Sequence, residues 1–173
     1  MIRVVSMIVA FFLSPAGAVR AQERTFPASF ERLRALVGEW EGTYQWSGAR
    51  TGSSGRMNAT YTVTGNGSAV VENLTVDNVP TMTSLYHTDG TDLRMTHLCA
   101  AQNQPRLKAT RIDDEEGVME FSFVDITNLP SPNAPHVEEL EIRFLAEDRI
   151  RLTFTFISDA GRSYERIDLV RKA

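Results

Sequence analysis

From residue 39 to the C-terminus, apolar and polar residues alternate with a period of two, the spacing that sends successive side chains to opposite faces of an extended strand. The alternation runs through segments 39–46, 56–63, 68–77, 81–88, 92–100, 106–112, 118–124, 137–145, 149–157 and 163–171. Turn chemistry separates them: Gly48 to Gly55, Gly65-Asn66-Gly67, Asp89-Gly90, Asp113 to Gly117, Ala146 to Asp148, and Asp159 to Gly161. The longest break, DITNLPSPNAPH, holds three prolines and reads as a loop. Ahead of the strands, PASFERLRALVGEW spaces Phe30, Leu33, Leu36 and Val37 as one face of a short helix, with Ser29 as N-cap and Gly38 as the stop.

About ten short sequential strands joined by tight turns predict an all-β, antiparallel up-and-down barrel, since closure removes the free edges that would invite aggregation. A barrel of that strand number is wider than its own side chains fill, so a cavity is expected, with the helix across one mouth.

The first residues read differently. Arg3 precedes an apolar run from Val4 to Leu13, too short to span a bilayer, and then Pro15 and small residues, the pattern of an export signal cut after Ala21. The chain thus divides into a signal (1–21), an N-terminal segment with the helix (22–38) and the barrel (39–173), and the protein is expected to be periplasmic or secreted. Losing Arg3 and Arg20 from 18 basic residues leaves 16 against 22 acidic, a net charge of −6, which argues against a nucleic-acid partner. Outward positions carrying Arg94, Lys108, Glu120, Glu139, Glu141, Arg143 and Arg151 argue against lipid around the barrel. Cys99 is the only cysteine, so no intramolecular disulfide forms.

Candidate chemistry concentrates in MTHLCAAQNQPR, Met95 to Arg106, where a histidine and the cysteine stand two apart on one strand face. If Asp89-Gly90 is a two-residue hairpin loop, Thr88 pairs with Thr91, Tyr86 with Leu93, Ser84 with Met95 and Met82 with His97, while His87 meets Asp92 outside. Met82, Ser84, Tyr86, Leu93, Met95, His97 and Cys99 then face inward. Three roles fit His97 and Cys99: a structural pair satisfied by neighbours, polar contacts to a bound molecule, or a metal or nucleophilic site. The third is short of partners, because His87 points out and His136 lies in the long loop. Asn103, Gln104 and Arg106 form either a turn or a polar rim in which Arg106 offers a planar donor fork. Trp40, Tyr44 and Trp46 share one phase of the first strand, and Met57, Ala59, Tyr61 and Val63 line the second. Glu72 and Glu165 alternate in phase with apolar residues, so two carboxylates point inward and need partners.

LVGEWEGTYQW resembles the opening strand of calycin-type barrels, whose Gly-x-Trp motif, here Gly38 and Trp40, packs the tryptophan across the barrel floor. With GNGSAVVENL, YHTDGTDLRMTHLCAAQNQPR and FVDITNL, the chain resembles a bacterial family of exported, uncharacterised lipocalin-like proteins. It is more distantly similar to nitrobindin at Gly38, Trp40 and Gly42; that family holds haem through a histidine near its C-terminus, and here the last two strands contain none.

The expected function is binding of a small, partly apolar molecule, without a cofactor, by His97, Cys99, Tyr86, Met82, Met95, Asn103, Gln104, Arg106, Tyr44 and Trp40. The alternatives are a haem-binding or enzymatic barrel using His97, and an interaction module for another exported protein.

Overall fold

The computed structural model describes residues 26–173; the expected signal, 1–21, lies outside them. A short helix, α1 (Ala28–Arg34), precedes ten strands: β1 (Gly38–Gly48), β2 (Ser54–Thr64), β3 (Ala69–Val76), β4 (Val79–Asp89), β5 (Asp92–Leu98), β6 (Gln104–Asp113), β7 (Val118–Thr127), β8 (His136–Ala146), β9 (Arg149–Ser158) and β10 (Gly161–Arg171). Each strand pairs antiparallel with its sequence neighbours, and β1 pairs with β10 to close the barrel. The all-β, ten-stranded architecture is the one the alternation predicts.

Inward residues form one continuous core, from Trp40, Tyr61 and Phe30 at the helix end to Phe156 and Trp46 at the other. Phe30 and Leu33 of α1 are fully buried, so the helix closes one end with its apolar face. Beneath it lies Trp40, whose indole N–H donates to the Leu36 carbonyl at 2.8 Å and whose ring faces Tyr61 edge-on. The Arg171 guanidinium covers that indole and donates to the carbonyls of Ala35 and Val37, both at 2.7 Å. This contact finishes the helix and corrects its expected ends. Ser29 lies inside α1; Pro27 occupies the N-cap position and accepts from the Phe30 and Glu31 amides, and Ala35 is the C-cap. Gly38 belongs to β1 instead, because a strand from the far end of the chain supplies the stop.

The β4–β5 hairpin differs from the expected register. Asp89 pairs with Asp92, leaving Gly90-Thr91 as the loop, and Gly90 takes a φ of 61° where Thr91 stays on the negative side. Glycine at the first central position suits a type II′ turn, which matches the strand twist and moves the loop one residue along. His87 therefore lies across from Arg94, and Asp92 takes Lys108 and Arg94 as ion partners. Because the summed register moves by two, every inward residue stays inward while its partner changes. Ser84 now stands opposite His97. Val63, expected inside, is exposed near the end of β2.

Candidate functional site

Opposite the helix, the barrel opens into a recess of about 570 Å³. Its apolar wall includes Met57, Val76, Met82 and Phe156, and its polar groups include Tyr44, Ser163 and Glu165, with Arg50 at the exposed rim. The β1–β2 and β5–β6 connections contribute Ala49, Arg50, Ala100 and Ala101 to the walls. Trp46 packs on Phe156 at 4.9 Å between ring centroids, and the Arg50 guanidinium rests over the Trp46 ring at 4.0 Å.

Glu165 is the unusual member. Strand pairing sets it opposite Trp46 on β1, and it is only 4 % exposed. Its Oε2 has no protein hydrogen-bond partner. Burial pushes its pKa up to about 7, against smaller opposing pulls from Arg50 and the Trp46 indole. Cys99 is close enough for the Glu165 charge to act on it; burial is the main cause that raises the thiol's pKa, partly offset by the Ala101 amide donating to Sγ at 3.4 Å. A thiol so held is a poor nucleophile.

Deeper in the barrel, a transverse row of polar residues crosses four strands. Tyr61 stands opposite Glu72, Glu72 opposite Ser84, and Ser84 opposite His97. The Tyr61 and Tyr86 hydroxyls each donate to one Glu72 oxygen at 2.8 Å, and Ser84 Oγ lies 2.9 Å from His97 Nδ1. Burial raises the Glu72 pKa, with the tyrosine hydrogen bonds opposing, and raises both tyrosines. Burial lowers His97 to about 3, so its ring is neutral. That ring packs on Phe154 at 5.0 Å, and its Nε2 is unpartnered. The next row toward the mouth is Ala59, Leu74 and Met82, which separates the polar row from the recess.

The ten residues expected to contact a ligand thus fall into five places. Tyr44, Met82 and Cys99 line the recess. His97, Tyr86 and Met95 are buried below it, and Trp40 is at the floor. Asn103 is fully buried and donates from Nδ2 to the Pro135 carbonyl at 2.9 Å, which ties the long loop to the β5–β6 turn. Gln104 and Arg106 face outward, because Asn103, Pro105 and Leu107 occupy the inward phase; Gln104 accepts from Thr127 and Arg106 makes a two-pronged pair with Asp125. The buried His97 imidazole is not part of the recess wall, so it is not placed to ligate a haem bound there. Trp46, Arg50, Phe156, Ser163 and Glu165 are wall residues absent from the expected set. For the strand residues the signal is phase, Glu165 alternating with Ile167 and Leu169 and Trp46 with Tyr44, whereas Arg50 lies in the β1–β2 connection, where no phase marks it.

No family model matches the chain, and no curated protein does. Among solved structures, the chain is similar to a protein of unknown function of the DUF3598 family from Nostoc punctiforme PCC 73102, with a TM-score of 0.53 and 15 % identity. The match covers 81 % of this chain and 49 % of that one, so the chain spans about half the length of that protein. At this identity the likeness concerns the barrel fold.

Proposed function

We propose that this is an exported, calycin-type barrel that binds a small, partly apolar molecule in the mouth recess. The observation that carries the reading is the recess itself: about 570 Å³ of mostly apolar wall, with a few polar groups and one buried carboxyl lacking a partner. Binding sites for small molecules have this make-up, apolar surface for affinity and a few placed polar groups for orientation. The helix supports it by closing the other end, which leaves a blind cup.

The test uses the chain's two tryptophans. Trp46 is on the recess wall and Trp40 is buried at the floor, so a molecule in the cup changes only the Trp46 emission. We expect native mass spectrometry of freshly purified protein to find a co-purified small molecule, or a thermal-shift screen to find a stabilising one. Its saturable fluorescence change should disappear in Trp46→Phe. A protein that carries nothing, is stabilised by nothing in the screen and shows no such change has no ligand in this recess.

A further inference from the structure

Resting on the reading of the recess as a binding cup, we propose that the cup selects an apolar chain bearing a protonated amine, and that Glu165 is the residue that holds the amine. Two geometric observations carry this. The Glu165 side chain is on the recess wall, and its Oε2 is buried without a partner. An ionised carboxylate oxygen in that position lacks the hydrogen bonds water would give it, and it gains most from a group that brings both a donor and a positive charge.

The groups facing Glu165 decide between head groups. Trp46 stands opposite it on β1, Arg50 acts on it from the rim, Cys99 comes from the end of β5, and Ser163 precedes it on its own strand. Ser163 Oγ already accepts from the Arg50 amide at 3.0 Å, and the Cys99 thiol is neutral. The Arg50 guanidinium is solvated and stacked on Trp46, so its repulsion of an incoming cation is screened by water and salt. A carboxylate ligand meets the opposite situation: it must hold Glu165 protonated against its own charge, as two neighbouring carboxylates do not both ionise readily. An uncharged alcohol gains one hydrogen bond and no charge pairing.

The sign of the pH dependence follows. Glu165 titrates at about 7, so a cation competes with a proton for it. Amine binding therefore strengthens as pH rises from about 6 to about 8, and carboxylate binding weakens.

Three probes of equal chain length test this by calorimetry on the full protein: octylamine, octan-1-ol and octanoate. At about pH 8 octylamine should bind about tenfold more tightly than octan-1-ol, a charge-assisted bond against a neutral one. Lowering to about pH 6 should weaken octylamine about tenfold, the change in ionised fraction of a group titrating at about 7, and leave octan-1-ol unchanged. Glu165→Gln should abolish both the amine preference and the pH effect while octan-1-ol still binds. An amine that binds no better than the alcohol, octanoate as the tightest of the three, or an amine preference that survives Glu165→Gln overturns the assignment and leaves the cup a binding site. If none of the three binds the folded protein, the amine assignment falls, and the binding-cup reading is decided separately by the co-purified ligand and the thermal-shift screen.

Discussion

Glu72 and His97 occupy the same buried row and solve the problem of burial in different ways. Glu72 receives a hydroxyl on each oxygen, from Tyr61 and Tyr86, so its lone pairs are met although no water reaches it. His97 shares one ring nitrogen with Ser84 and keeps the other unpartnered, a state tolerable only while the ring is neutral. Burial holds its pKa near 3 in place of the usual 6.5, so the unfolded chain binds this proton first and stability falls as pH drops from 6.5 toward about 3. His97→Gln keeps a polar contact for Ser84 and cannot be protonated. We expect it to cost about 1 kcal/mol near neutral pH and to flatten the acid limb of the stability curve, measured by urea unfolding at successive pH values. An acid limb as steep as the wild type's would assign the loss to other groups. Cys99, in contrast, reaches the recess from the same strand two residues on. The pair that looks like one site in sequence is split between two rows: the imidazole belongs to the buried polar row, and the thiol, one row nearer the mouth, joins Met82 in lining the recess.

At the scale of the element, strand pairing decides what each residue meets. The alternation told which residues of β4 and β5 face inward, and the structure keeps them there. It did not fix the pairing, because the same faces result whether the loop is Asp89-Gly90 or Gly90-Thr91. The choice rests on which turn the glycine favours, a local preference of small energy, and on the fit of Ser84 to His97, which is tertiary. β1 and β10 illustrate the converse, a contact that demands one residue type. A Cβ placed on Gly42 would sit 1.8 Å from the Asp168 carbonyl oxygen of the closing strand, and backbone cannot rotate away as a side chain can. Gly42→Ala should therefore lower stability by about 1–3 kcal/mol, as overpacking does, read as a shift in the urea midpoint with unchanged slope. An unaltered midpoint would mean that the β1–β10 seam yields freely.

The whole molecule is a closed barrel whose first and last strands must meet before the interior is sealed. That seam joins residues as far apart in sequence as Trp40 and Arg171, so no subset of strands forms a finished core. Unfolding should accordingly be a single transition, with Trp40 fluorescence in a Trp46→Phe background and far-ultraviolet circular dichroism giving the same midpoint. Non-coincident curves would show a separately melting half. The sequence by itself determined that residues 26–173 make a short helix and about ten antiparallel strands, which faces are apolar, and that Glu72 and Glu165 turn inward, because a period of two is written locally in the order of residues. It singled out a histidine and a cysteine on that same logic. Tertiary structure alone decided the depth of each inward residue along the barrel axis: His97 beneath a layer of Leu74 and Met82, Glu165 in the wall of the cup, Arg106 turned outside to Asp125. Depth depends on strand stagger, on where α1 seals and on which loops stay open, and these are set by contacts between residues far apart in the chain, which alternation within a strand does not encode.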